Sequence, residues 1–420
     1  MTRVSFVVLL ACGFAASAAD WPQWRGPGGD GVFDAPKLPT KWPEGGLRTA
    51  WTAPVGGGYA GIAVADGRVF TLDYENEFER VLCLDATTGK ALWAHSYPVK
   101  YGNLGGYANG PRTTPTIAGG KAYTLGAFGH LHCFDAKTGD VLWKHDTVAA
   151  FGAKVPEWGF AGSPTLDGDK LIVHLAAEKN GSVMAFDKTT GKELWRSLPD
   201  PGGYCTPTII HPPTGKQVVL WTPEFVHGLD PSTGKSLWKV PYKVTYGVSI
   251  APPIYRDGVV FVTGYWEGSK AIRLGPKATD AEVIWTNEKQ LRGLMAQPMC
   301  RDGHVYSFDR DLGFSCFELK SGKKLWDDDN TLTPKARNPH ASIVWLNDTN
   351  RILALNAVGE LVLGRLSPKG FEEESRTKAL KGRMWGHPAF AGRFLYAKTD
   401  GGEAWRNSGP HLLTCLELAK

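Results

Sequence analysis

The stretch FDAKTGDVLW at residues 134–143 recurs as LDATTGKALW at 84–93, FDKTTGKELW at 186–195, LDPSTGKSLW at 229–238 and FELKSGKKLW at 317–326. A worn copy ends in VIW at 283–285, and an isolated RTAW at 48–51 repeats only the end of the phrase. Self-similarity at a fixed period decides a fold before any local reading does. Within one copy, Leu131 to Phe134 is apolar and β-prone. Asp135 can hydrogen-bond the backbone two residues on, and Gly139 can take the positive φ that closes a hairpin. Val141-Leu142-Trp143 then begins the return strand. Runs such as RVLCL at 80–84 and KLIVHL at 170–175 are apolar at consecutive positions, so both faces of each sheet must be covered.

The phrase tryptophans, Trp51, Trp93, Trp143, Trp195, Trp238, Trp285 and Trp326, follow one another at 41 to 52 residues. That is the period of a four-stranded propeller blade. Upstream of the phrases lies a second hairpin with a DG or GG turn, as in AVADGRVFTL at 63–72, TIAGGKAYTL at 116–125, IYRDGVVFVTG at 254–264 and MCRDGHVYSF at 299–308. Each unit therefore reads as strands A, B, C and D, with the tryptophan on D. Residues 47–420 hold eight such units. Blade seven starts at ASIVW (341–345) and blade eight at GHPAF (386–390), with strand C at LLTCLEL (412–418). The chain then stops without a strand D. The orphan LRTAW at 47–51 supplies it, which removes the open edges. The expected fold is all-β: an eight-bladed β-propeller of four-stranded antiparallel blades, closed by the N-terminal strand joining the C-terminal blade.

The pattern D-x-x-[TS]-G-x-x-x-W at this spacing resembles the repeat of pyrroloquinoline-quinone (PQQ) type propellers, a family that includes quinoprotein alcohol dehydrogenases and the scaffold lipoprotein BamB. DWPQWRGPGGDG (20–31), GPRTTPT (110–116), LGAFGHLHCFD (125–135), LSPKGFEEESR (366–376) and GHPAFAGRFLYAKTD (386–400) resemble a narrower group of secreted, BamB-like bacterial propellers of planctomycete type. The resemblance covers the whole mature chain. It implies the fold and leaves the function open, because this fold carries enzymes and scaffolds alike.

Residues 1–19, MTRVSFVVLLACGFAASAA, have one basic residue, an apolar core and small residues before a cleavage point near Ala18/Ala19. This is expected to be a secretory signal peptide that delivers a periplasmic or secreted protein. LLAC at 9–12 loosely resembles a lipoprotein box with Cys12 as the lipidated residue, but the apolar run before it is short, and ordinary cleavage is favoured. Residues 20–46 form a Pro/Gly-rich arm, expected to be pinned to the outside of the propeller by Trp21 and Trp24, and 47–420 form one domain. No other run approaches a membrane span. The net charge of +5 is scattered without a basic tract, which gives no reason to invoke nucleic acid. Cys83, Cys133, Cys316 and Cys415 share one repeat position in strand C, too far apart for disulfides. Cys205 and Cys300 lie near strand A of blades four and six, and no C-x-x-C occurs.

One face of the ring carries the stereotyped turns and the other the variable D–A and B–C loops. The longest, 98–112 and 147–160, flank blade two and hold Tyr101, Tyr107, Arg112, Phe151, Glu157, Trp158 and Phe160. Strand A lines the channel, so residues just before it ring the mouth. These are Tyr59, Arg112, Trp158, Tyr204, Tyr246, Gln297, His340 and His387, with Glu157 and Trp385 beside them. Aromatics among a few polar groups suit a flat or sugar-like organic ligand or a peptide; the same residues can equally plug the channel. DDDN at 327–330 lacks the alternating spacing of a calcium loop and reads as a solvated loop. No H-x-x-x-H pair occurs, so no metal ligand is nominated.

Two functions follow. The first is a non-catalytic, BamB-like, monomeric scaffold that binds an envelope protein, peptide or small ligand and has no catalytic residue and no cofactor. The second is a PQQ- and Ca²⁺-dependent dehydrogenase of an alcohol or sugar. Trp158 or Trp385 would then stack on the cofactor, Arg112 would pair with its carboxylate, and Glu157 or Asn338 would hold the metal. The chain has no vicinal Cys-Cys pair and no haem motif, which favours the scaffold.

Overall fold

The computed structural model describes residues 20–399, apart from 103, 105, 106 and 108, together with 410–419. The signal-peptide reading and Cys12 lie outside the described residues. Eight sheets surround one axis. Blades one to seven span 63–98, 116–146, 165–197, 208–241, 254–287, 299–327 and 341–378, each an antiparallel A-B-C-D meander. Blade eight takes strands A to C from Ala389–Ala391, Phe394–Thr399 and Leu412–Glu417. Its strand D is Arg48–Pro54, paired antiparallel from Arg48 opposite Glu417 to Pro54 opposite Leu412. The closing strand thus runs three residues past Trp51, the end of LRTAW.

The repeated phrase builds the joint between blades. In blade one the Asp85 carboxylate accepts the Thr87 and Thr88 N–H groups and the Thr88 hydroxyl, and Gly89, at φ +70°, closes the turn. Asp135, Asp187 and Asp230 accept the same two backbone N–H groups in their own turns. Bonds of this kind, above all from Thr190 N–H, hold the Asp187 carboxyl below its usual range.

Each phrase tryptophan then reaches into the next blade. The Trp51 indole N–H donates to Ala86 O at 2.9 Å, Trp93 to Ala136 O at 3.1 Å and Trp143 to Lys188 O at 3.1 Å. Trp195, Trp285 and Trp326 likewise reach Pro231 O, Leu319 O and Ser367 O. Trp238 is the exception: its indole N–H donates to Gln217 Oε1 of its own blade at 2.8 Å. The small residue on strand C is explained by register. Cys83, Cys133, Ala185, Gly228, Ala271, Cys316 and Cys415 sit opposite Trp93, Trp143, Trp195, Trp238, Trp285, Trp326 and Trp51. A larger side chain there would meet the indole. All six described cysteines are free and buried.

The N-terminal arm is not on the outside. Trp21 forms a two-way backbone bridge with Val64, in strand A of blade one, and Pro22 O accepts Ile117 N–H from blade two. The chain crosses the axis, and Val32–Phe33 pairs parallel with the inner edge of Ala341–Leu346 in blade seven. Strand A is the innermost strand, so its free edge faces the channel and the arm fills that channel. The arm then leaves between blades seven and eight. Asn347 brackets Ala35 through both side-chain amide atoms, Arg351 donates to Pro39 O, and the Trp42 indole reaches Leu361 O. Free strand edges and a hollow axis are the two weak points of a small propeller, and the arm covers both.

Candidate functional site

Above the arm, on the D–A loop face, a cavity of about 580 Å³ opens on the axis. Inter-blade bonds set its wall. Thr114 N–H donates to Ser163 Oγ and Ser163 N–H to Thr206 Oγ1, so two hydroxyls tie blades two, three and four together. All three hydroxyl residues line the cavity. Nine of the ten residues expected at the mouth also line it: Tyr59, Arg112, Glu157, Trp158, Tyr204, Tyr246, His340, Trp385 and His387. Gln297 does not. Its Nε2 donates to Pro252 O at 3.0 Å and ties blade six to blade five.

The long loops contribute less than their length suggests. The Tyr101 hydroxyl is bound to Glu79, and its ring packs between Tyr74 and Phe128. Phe151, at the end of the short helix Thr147–Phe151, packs on His145 and Phe186, and Phe160 is fully buried. These three are core. Within DDDN, Asp327 and Asp329 are exposed as expected of a solvated loop, but the Asp328 carboxylate turns inward and accepts N–H groups from Phe314, Asn330 and Leu332. Burial raises its pKa against those bonds.

The aromatic wall comes in pairs. The Trp385 ring lies 5.3 Å from Tyr59 and 5.6 Å from Tyr107. Trp158 lies 5.8 Å from Tyr204. Trp266 lies 5.3 Å from Tyr246 and 4.7 Å from Tyr265. Trp24, from the arm, stands edge-on to His387 at 5.6 Å. The arm thus supplies the base of the cavity. Trp24, Tyr265, Trp266 and Arg337 were not identified from sequence. The Tyr265-Trp266 pair has a legible signal, because two aromatics occupy a tight B–C turn where polar residues are the rule. Trp24 has none, since nothing local says that residues 20–33 enter the channel.

Among the described residues the lining pairs neutral imidazoles with a small excess of positive charge. Burial drives His340 down to about 4, and drives His387 down to about 3 with help from His340 and Arg25. Both are neutral imidazoles at pH 7. Burial pushes Tyr204 up to about 12 and lowers Arg112. The Arg112 guanidinium lies over the Tyr59 ring at 5.4 Å and donates to Gly110 O. Among the described residues of the lining Glu157 is the one carboxylate, against Arg112 and Arg337.

A Ca²⁺–quinone pair of the kind that PQQ-type dehydrogenases use needs several oxygen ligands converging on the metal. Glu157 and Asn338 both line the cavity, but among the described residues no three His, Cys, Asp or Glu are grouped to hold a metal. The described residues do not fit the metal half of that pair.

Solved structures of both enzymes and a scaffold share this fold. The chain resembles the quinohemoprotein alcohol dehydrogenase of Comamonas testosteroni at 15% identity, covering 96% of this chain and 81% of that one, with a TM-score of 0.67. It resembles a europium-containing methanol dehydrogenase at 12% identity, covering 95% and 98%, with a TM-score of 0.66. It resembles BamB from Moraxella catarrhalis at 17% identity, covering 88% and 99%, with a TM-score of 0.56. At these identities the likeness is one of fold alone. No curated protein matches the chain. The family described as outer membrane protein assembly factor BamB matches residues 77–265 and 222–367, most of the ring, and the chain therefore belongs to that family of PQQ-like propellers.

Proposed function

We propose that this protein is a periplasmic or secreted binding propeller that captures its ligand in the mouth cavity and carries out no redox chemistry. One observation carries the reading. The cavity is walled by aromatic rings and neutral imidazoles, and among the described residues that line it Glu157 is the one carboxylate. Such a wall supplies stacking area and a few orienting polar groups, the composition of a recognition site. A Lewis-acid metal needs a carboxylate cluster that these residues do not form. Membership of the BamB family agrees with a scaffold. A monomer delivered by the leader at 1–19 is part of the same reading.

Isothermal calorimetry and thermal shift of the purified chain against peptides, saccharides and PQQ with Ca²⁺ test it. Binding that disappears in Trp158→Ala without a change in melting temperature supports the proposal. Reduction of an artificial electron acceptor by an alcohol after addition of PQQ and Ca²⁺, lost in Glu157→Gln, would overturn it.

A further inference from the structure

His340 is 2% exposed, lines the cavity, and has no hydrogen-bond partner at either ring nitrogen. Buried polar atoms without partners are rare in folded proteins, and each one calls for an explanation. This imidazole is neutral at physiological pH, because burial holds it near 4. It therefore carries one N–H donor and one bare nitrogen acceptor, both buried and unpaired at the cavity wall. A carboxylate or phosphate can satisfy only the donor, and an ammonium only the acceptor. A hydroxyl group satisfies either, so two hydroxyls satisfy both. Trp158 adds a further buried donor without a partner, its indole N–H.

The walls point the same way. The apolar C–H face of a pyranose stacks on Trp and Tyr rings, while its rim of hydroxyls needs planar polar groups. The cavity has both, with Trp24 at the base, the Trp385 and Trp266 clusters at the sides, and Arg112 and Asn338 among them. At the rim, Tyr246 is 70% exposed and held at φ +57°, a conformation a bulky residue adopts only where its surroundings impose it. A volume of about 580 Å³ lies within the usual range for ligand sites and exceeds a single sugar ring.

We propose that the mouth cavity is a saccharide-binding cup that takes the end of an uncharged oligosaccharide, with Trp24 of the N-terminal arm as the base on which a ring stacks and His340 as the buried reader of its hydroxyls. This rests on the binding reading above and narrows its ligand class. It also makes the arm part of the site, so ligand capture and arm docking stabilise one another.

The test is calorimetry of the mature chain with maltotriose, cellotriose and chitotriose at neutral pH, alongside 4-hydroxybenzoate, a tripeptide, and PQQ with Ca²⁺. At least one trisaccharide binds, and Trp24→Ala weakens it by roughly tenfold or more. His340→Phe abolishes binding, and His340→Gln, which keeps a donor and an acceptor, restores part of it. If His340→Phe fails to fold, Trp24→Ala and the broadening of saccharide proton signals on adding protein decide the matter. No trisaccharide binding up to ~10 mM, or an unchanged dissociation constant in Trp24→Ala, overturns the proposal. Binding of the benzoate or tripeptide alone overturns the sugar class and leaves the binding propeller standing. Binding of PQQ with Ca²⁺ that brings turnover removes both.

Discussion

Trp93 of blade one lies against Gly139 of blade two so closely that a Cβ on the glycine would fall 2.6 Å from the indole. The indole N–H of the same tryptophan donates to Ala136 O, three residues before that glycine. Trp51 with Gly89, Trp143 with Gly191, Trp195 with Gly234 and Trp285 with Gly322 repeat the contact at 2.5 to 2.7 Å. Glycine in the phrase thus has two causes, a left-handed φ and the preceding blade's tryptophan, so the ten-residue phrase is half of two different interfaces.

The pairing separates two glycines that the backbone treats alike. Gly191, at φ +72°, has the Trp143 ring 2.6 Å from a built Cβ, while Gly168, at φ +61°, has nothing within 4 Å. Gly168→Ala should cost about 1–2 kcal/mol from the left-handed backbone alone. Gly191→Ala adds overpacking and should cost about 2–5 kcal/mol. Trp143→Ala should cost about 3–5 kcal/mol. Denaturant midpoints at constant slope measure all three, and equal losses for the two glycines would remove the tryptophan contact from the account.

The cysteines should be unreactive until the ring opens. Burial pushes the thiols of Cys83, Cys133, Cys205, Cys300, Cys316 and Cys415 up to about 12. Native protein at pH 8 should resist a thiol reagent, and denaturation without reductant should release all six. A recovered Cys83–Cys133 cross-link would contradict the repeat register.

Acid should weaken the fold in a defined window. Burial lowers His132 and His387 to about 3 and His174 and His340 to about 4, from an ordinary 6.5. Below 6.5 the unfolded chain takes up protons that the folded chain refuses. The stability is complete above 6.5, falls as the pH drops toward 4, and levels off near 3. Each site contributes a slope of about 1.4 kcal/mol per pH unit. Denaturation between pH 7 and 4.5 should show this decline, and His340→Phe should reduce the slope by one proton.

Trp21→Ala should loosen the arm before the ring. Trp21 is 2% exposed, between Phe33 and Phe390. The amides of Val64 and Trp345 donate to the arm at Trp21 O and Gly31 O. Hydrogen exchange at those two amides should accelerate in the variant, while strands of blades three to five keep their protection. Unchanged exchange at Val64 would take the arm out of the channel.

The blade count, the closure and most of the mouth were legible because each rests on a pattern that repeats, and repetition averages out local ambiguity. The arm was not legible. QWRGPGGDG at 23–31 carries no periodicity, and its glycines serve one local fold around a buried cation. The Arg25 guanidinium donates to Asp30 O, lies where a Gly31 side chain would go, and is lowered to about 10 by burial. Gln297 was misplaced for a related reason: register put it at the mouth, but its amide turns sideways to the neighbouring carbonyl. Position follows from a repeat; side-chain direction depends on the neighbours.

The arm's contacts also bear on how the protein comes into being. Ala35 finds Asn347 at a separation of 312 residues, Trp42 finds Ser375 at 333, and Arg48 finds Glu417 at 369. The backbone of Trp21 can pair with Val64 once blade one exists, but the side chains of Phe33 and Trp42 meet Phe390, Ser375 and Leu361 only after the last blades are made. The slowest maturation step should therefore be the late entry of the chain's own beginning into a ring that is otherwise built.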